Sequence, residues 1–395
     1  MIADLLTPEG LELLDSLPPY DHSQVLPLSE RLQREGYDPN LVAEALTQSR
    51  LRERAEEKFG PFAARMIFTR DGLEQATRLS VGVFHAARLR DAGATHILDL
   101  GCGIGADSLA FTGLGMLTTS IEMDPDAAAA AAYNLRPFPE ANVLHADARK
   151  VDLASLGADA VWLDPARRRD GKRLKNPEDW APRLSEAIEI ARTFPAAGIK
   201  VAPGIDYAAV PQDALVEWIS VDGSLAEAVI WLGAAAPSPG RRALILAGAE
   251  SATWDADVVN PHTPPIMLSP EPVGAFIFEP DPAIIRSGSI ASICARYHLA
   301  PIAPGIAYLT GDAPIDSPFL TSFTVLATFT VEPKPLRKAL TKLGVGRVEI
   351  KKRGTDLEPE TFRKKLKLDP KLPGEATLIA APTLAGKHRI FLCER

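Results

Sequence analysis

A chain of 395 residues with 46% hydrophobic and 24% charged residues has ordinary globular composition. That excludes wholesale disorder and a fibrous class, and at roughly 150 residues per domain it predicts two to three domains. The formal charge of −8 hides an asymmetry: residues 331–395 hold 16 Lys and Arg against 8 Asp and Glu, a net of +8, leaving 27 against 43 and a net of −16 in residues 1–330, and such an asymmetry points to a polyanionic partner.

At the N-terminus, MIADLLTPEGLELLD carries acids where a secretion signal carries bases, and no run of about 18 apolar residues occurs along the chain. The expected location is the cytoplasm, with no membrane partner. Next, LVAEALTQSRLRERAEEKF and LEQATRLSVGVFHAARL repeat apolar residues at three-and-four spacing, with Gly and Pro in the links, predicting a helical domain over residues 1–90.

From Thr95 the pattern changes to short apolar runs separated by helical stretches: HILDL, TTSIE, NVLHA, DAVWL, GIKVA, AEAVIWL and RALILA. Such alternation predicts an α/β domain over 91–250, a parallel sheet with helices on both faces. The last two runs are joined by GAAAPSPGR, too short for a crossover helix, so they are expected to close the sheet as an antiparallel hairpin.

The bridge NPHTPPIMLSPEP has five prolines in thirteen residues, which rules out regular helix or a central strand. It opens a connecting α+β region over 251–330, with strand-like AFIFE and FTVLATFT, a helical SIASICARYHLA and no chemical motif. The basic domain, 331–395, reads as helix (LRKALTKL), strand (RVEIKKR), helix (PETFRKKL) and two strands (ATLIAAP, HRIFLCE), a small α+β unit. Cys102, Cys294 and Cys393 lie too far apart for metal-ligand spacing and are odd in number, so neither metal nor disulfides are expected.

The sharpest chemical signal is ILDLGCGIGAD, residues 97–107, a strand running into Gly101, Gly103 and Gly105. Glycine is needed where backbone bends tightly and approaches a ligand, and the following helix start offers free N–H groups. The letters also fit the dinucleotide fingerprint, with Glu122 about twenty residues on, which leaves a nicotinamide or flavin dinucleotide as an alternative. Against it, Asp99 stands where dinucleotide strands carry apolar residues, and suits a ligand with a cationic amino group. Asp147, after the third strand, supplies an acceptor for an exocyclic amine. Asp164-Pro165 ends the fourth strand, so four consecutive strand ends carry acids at the edge where open α/β sheets bind ligands.

DLGCGIGAD, Glu122, Asp147 and the Asp-Pro pair together resemble the class I S-adenosylmethionine-dependent methyltransferases over roughly residues 95–247. More narrowly, LRERAEEKFG, FTRDGLEQAT, LDPARR and EIKKRG look like a bacterial group of methyltransferases that carry a THUMP-like domain at the C-terminus. The resemblance implies a seven-stranded Rossmann-like sheet whose last pair is antiparallel, and S-adenosylmethionine as cofactor. It puts Gly101, Cys102, Gly103 and Gly105 under the methionine part with Asp99 near its amino group. Glu122 takes the ribose, Asp147 and Ala148 bracket the adenine, Asp164 and Pro165 stand beside the methyl, and Gln75 and Thr77 close the pocket.

Methyl transfer needs a nucleophile aligned behind the sulfonium methyl, and positioning does most of the catalysis. Amine methyltransferases follow Asp or Asn with Pro-Pro-aromatic, whereas here the motif is Asp164-Pro165-Ala166-Arg167, without the aromatic that stacks on a base. An arginine plane also stacks on bases or contacts phosphate, so Arg167 and Arg168 are expected to hold the substrate. In the basic domain, Lys351, Lys352 and Arg353 are candidate phosphate contacts. With only Phe362 and Phe391 there, a stacking platform for single strands is not expected. RNA is the expected partner; a small-molecule acceptor, or a non-catalytic RNA-binding protein on the same fold, is the alternative.

Overall fold

The computed structural model describes residues 2–169 and 172–395, apart from the side chains of Arg168, Arg169 and Arg173. It divides into two compact units: Met1–Ile205 with Asp213–Leu215 and Val229–Ser238, and Asp206–Gln212, Val216–Ala228 and Pro239–Arg395.

The first unit opens with α1 (Ile2–Leu5), α2 (Pro8–Ser16), α3 (Val25–Arg34) and α4 (Pro39–Phe59). The Asp38 carboxylate accepts the backbone N–H groups of Asn40 and Leu41 to cap α4, Pro39 sets its first turn, and Gly60, with φ +54, ends it. Val42, Ala45, Leu51, Ala55 and Phe59 form the buried stripe of α4, and this core continues into Ile104, Ala106 and Ala130. The expected single helix LEQATRLSVGVFHAARL is two, α5 (Arg70–Gln75) and α6 (Leu79–Asp91). The break is held from outside: Lys58 Nζ donates to the carbonyls of Leu73, Glu74 and Ala76, each at 2.8 Å.

Five parallel strands follow: β1 (His96–Leu100), α7 (Ala106–Gly113), β2 (Leu117–Glu122), α8 (Pro125–Leu135), β3 (Ala141–His145), β4 (Ala160–Leu163), the two-residue strands β5 (Arg168–Arg169) and β6 (Lys172–Arg173), α9 (Leu184–Ala191) and β7 (Ala196–Val201). Pairing of β1 with β2 and β4, β2 with β3, and β4 with β7 is parallel. β4 and β7 are buried along their whole length, as their unbroken apolar runs require in a sheet covered on both faces.

Then come β8 (Leu215–Val221), β9 (Ser224–Gly233), β10 (Gly240–Ala247) and β11 (Glu250–Asp255). The sheet order is β11-β10-β8-β9-β7-β4-β1-β2-β3. A Rossmann-like sheet is therefore present, but the expected hairpin between the last two runs is not. LVEWISV, passed over in the sequence, is β8 and lies between β9 and β10. Asp222 and Gly223, with φ of 48° and 75°, form the two-residue turn between β8 and β9, the mirror-image turn that matches strand twist. β10 instead makes its antiparallel hairpin with β11.

The second unit continues with β12 (Phe276–Pro280), α10 (Pro282–Arg286), α11 (Ile290–Tyr297), β13 (Ala300–Pro301), β14 (Leu309–Gly311), β15 (Leu320–Phe329), α12 (Pro333–Lys342), β16 (Val345–Lys352), α13 (Pro359–Leu366), β17 (Gly374–Pro382) and β18 (His388–Glu394). Its sheet runs β13-β14-β12-β15-β18-β17-β16, so residues 276–329, which carried no motif, supply four strands of the same sheet as the basic end. Two-residue periodicity splits β17 between cores: Leu378 and Ala380 meet Leu336, Leu340, Phe362 and Leu366 under α12 and α13, while Ile379 and Ala381 face Ile277 and Phe323. Phe362 and Phe391 are both buried. Among the described residues no helix is long and apolar enough to cross a membrane.

Candidate active site

A cavity of 570 Å³ opens at the carboxyl ends of β1, β2 and β4. Its walls are the α5 strap (69–77), the glycine loop with the start of α7 (100–107), the end of β2 (121–127), the turn after β3 (146–149) and the Asp-Pro segment (163–167). This is the edge where open α/β sheets bind ligands, and the volume suits a nucleoside-sized molecule.

Gly101, Gly103 and Gly105 have φ of 80°, 57° and 82°, a region costly for any residue with a Cβ. At Gly101 a Cβ would also meet the Asp164 carbonyl oxygen at 3.0 Å, so the loop and the Asp-Pro segment meet backbone to backbone. The Gly103 N–H donates to Glu122 Oε2 and the Asp124 N–H to Oε1, both at 2.9 Å. Glu122 is thereby held at the cavity wall. Cys102 lines the cavity, but burial pushes its thiol well up, and its Sγ lies 3.7 Å from the Gly103 carbonyl; it packs rather than reacts.

Asp99 departs from expectation. It does not line the cavity; it is 1% exposed behind the loop, its Oδ2 accepting the Ser108 hydroxyl and its Oδ1 without a partner among the described residues. Burial, with Asp107 nearby, pushes its carboxyl well above the ordinary range. Asp147 and Ala148 do line the cavity, but Asp147 is clasped by Arg149, whose Nε and Nη2 donate to its two oxygens at 2.9 Å. That hydrogen bonding lowers the Asp147 pKa. Gln75 and Thr77 lie in the strap wall.

Asp164 follows β4, its N–H donating to the Leu100 carbonyl at 3.2 Å. Lys200 Nζ donates to Asp164 Oδ2 at 2.9 Å and to Thr77 Oγ1 at 2.8 Å. Thr77 donates to Asp107 Oδ2 at 2.7 Å, and Asp107 Oδ1 meets His85 Nδ1 at 2.8 Å. The His85 ring stacks on Trp162, centroids 4.4 Å apart. Burial raises the Asp164 pKa, while Lys200 and then Arg167 hold it back. For Asp107 burial acts the same way, but His85, Lys200 and Thr77 outweigh it and its carboxyl sits below the ordinary value.

Sequence reasoning missed Lys200 and Asp107. A lysine inside the otherwise apolar GIKVA run was the available signal, because an unpaired buried ammonium is too costly to keep.

Pro165, Ala166 and Arg167 also line the cavity, with Ala166 bridged to Ala181 in antiparallel fashion. Arg167 has no ion-pair partner among the described residues. The Arg168 side chain lies outside the described residues, although its backbone pairs with Arg173 in the β5–β6 hairpin. Lys351, Lys352 and Arg353 are not in this wall, and their charges are matched in the second unit. Lys351 meets Glu279 at 2.8 Å, Arg353 meets the same carboxylate at 3.4 Å, and Lys352 meets Glu358 at 2.7 Å. As phosphate contacts they are therefore weaker candidates than the sequence indicated. Among the described residues no group of three or more His, Cys, Asp or Glu could hold a metal ion.

The cradle of positive-φ glycines, the fixed Glu122 and the strap suit a cofactor that joins a nucleoside to an amino-acid tail. Comparisons with known proteins point the same way. Residues 320–395 match the THUMP domain-like family, and residues 1–55 match a domain of unknown function, DUF8688. Two uncharacterised S-adenosylmethionine-dependent methyltransferases of Mycobacterium tuberculosis, strains CDC 1551 and H37Rv, are each 33% identical over 329 residues, 80% of this chain and 87% of the relative. A crystal structure from Porphyromonas gingivalis W83, provisionally named a methyltransferase, is 19% identical with a TM-score of 0.74, covering 96% of this chain and 100% of that one; at that identity it speaks for the fold alone.

Proposed function

The chain belongs to the S-adenosylmethionine-dependent methyltransferases, and from that premise we propose that its acceptor is a base in RNA. S-adenosylmethionine is the methyl donor; when bound, it supplies a sulfonium-activated methyl group. In this reading the glycine loop and Glu122 hold the donor, Gln75 and Thr77 close it in, and Ala148 sits against the adenine. Asp147 joins it by exchanging Arg149 for the ligand amine. Asp164 accepts a hydrogen bond from the attacking amine and aligns its lone pair, which is where positioning reduces the barrier most. Pro165 shapes that wall, and Arg167 with Arg168 grips the substrate.

One observation carries the RNA reading. On α12 and α13, opposite the buried Leu336, Leu340, Phe362 and Leu366, the cations Lys334, Lys338, Lys342, Lys364 and Lys365, with Lys367 just past the end of α13, face outward without an ion-pair partner among the described residues. Unneutralised cations on a rigid face suit a phosphate backbone better than a small acceptor. Labelled methyl from S-adenosylmethionine should pass to RNA from a strain lacking this protein, and not to RNA from the parent. The Asp164→Asn enzyme should transfer none. Label in neither RNA, with the cofactor bound, would move the acceptor to a small molecule.

A further inference from the structure

Lys200 is the one charged residue of β7, 3% exposed, and it is not part of the cavity wall. From behind that wall its ammonium reaches two residues that do line it and that come from far apart in the chain. Asp164 lies 36 residues away and Thr77 123 residues away. Thr77 sits in the break between α5 and α6, which Lys58 holds open, and the Thr77 hydroxyl in turn donates a hydrogen bond to Asp107. An ammonium carries three donors in tetrahedral array. Two of them fixed at 2.8 and 2.9 Å leave the Asp164 carboxylate little rotational freedom.

We propose that Lys200 is a positioning residue for methyl transfer: anchored on Thr77, it fixes the orientation and charge of the Asp164 carboxylate at the cavity wall. The inference rests on the reading of Asp164 as the group that orients the acceptor. An ionised carboxylate is a stronger acceptor than a protonated one and cannot donate in the wrong direction. Burial works against that state, and Lys200 is the largest opposing influence. Arg167 on the same loop helps, while Asp107 of α7 opposes. Asp99 of β1 is in turn raised by Asp164, and Lys58 of α4 feels the Lys200 charge. Of the two cations with the largest influence on Asp164, Lys200 and Arg167, Arg167 lines the cavity and Lys200 acts from behind its wall.

The test is the titration of Asp164 itself, followed by the 13Cγ resonance of Asp-labelled protein and assigned by its loss in Asp164→Asn. In Lys200→Gln, which keeps a hydrogen-bond donor without the charge, the midpoint should rise by about one to three pH units. The acid limb of kcat should follow it, with the KM for S-adenosylmethionine changed less than kcat. Lys200→Met should move the midpoint at least as far, and Lys200→Gln alone decides if that variant does not fold. An unchanged midpoint in folded Lys200→Gln overturns the inference whatever Asp164 does in catalysis. Full methyl transfer by Asp164→Asn would instead overturn the reading of Asp164 and leave the titration result standing.

Discussion

Around the cavity of the first unit, Asp99, Asp107 and Lys200 are buried, Asp164 is half-buried, and all four are hydrogen-bonded to one another or to hydroxyls, whereas on α12 and α13 of the second unit the unpaired cations stand in solvent. Charge does different work in the two places. Inside, interactions are strong and set by geometry, because the surrounding dielectric is low and solvent screens little. Outside, each interaction is weak and screened over about 10 Å, but many act together on a polyanion. Turnover at saturation should therefore respond to single buried substitutions and little to salt, while RNA affinity should show the reverse.

The largest effect expected from breaking the interior is Asp164→Asn. Turnover should fall by about a hundredfold or more through lost alignment, with S-adenosylmethionine affinity, measured by calorimetry, changed only a few-fold. Next comes reversal of the exposed face. Lys338→Glu with Lys364→Glu and Lys365→Glu should weaken RNA binding roughly tenfold to a hundredfold and flatten the salt dependence by about 0.9 in slope for each phosphate no longer neutralised. Filter binding at several salt concentrations reads both quantities, and an unchanged slope would count against this face as the RNA surface.

A smaller effect belongs to Lys58, whose burial lowers its pKa from 10.5 to about 8. Between those values the folded state carries fewer protons than the unfolded chain, so this group makes stability rise with pH there. The stability difference between the parent and Lys58→Met, from urea denaturation, should accordingly change in the parent's favour between about pH 8 and pH 10.5. Smallest of all should be Lys351→Gln, Lys352→Gln and Arg353→Gln. These side chains are already matched by Glu279 and Glu358, so RNA affinity should change less than about twofold and stability by under about 1 kcal/mol each. A loss equal to that from the α12–α13 reversal would erase the distinction drawn between paired and unpaired cations.

Much of the site could be read in advance because its signals are local. Three glycines in five positions need no partner to be informative: positive φ is written into the residue type. Glu122 and Asp164 were recognisable as strand ends because strand and turn patterns are short. The break at 76–78 was not recognisable, since its cause, three carbonyls held by Lys58, lies on another helix. β8 was passed over although Asp-Gly marks the turn after it, because Glu217, buried at 3% exposure, interrupts the apolar run of LVEWISV.

What this sequence determined by itself was periodicity and backbone permission: amphipathic helices in the first ninety residues, a parallel sheet with a glycine cradle, and a basic α+β end with two outward-facing cationic helices. Only the tertiary structure decided which charges meet. Lys200 lies 123 residues from Thr77, Arg353 lies 74 from Glu279, and Asp99 faces Ser108 rather than the cavity. A buried ion pair is chosen by the geometry of packed elements and by the cost of leaving either charge alone. Neither quantity exists until the chain has folded.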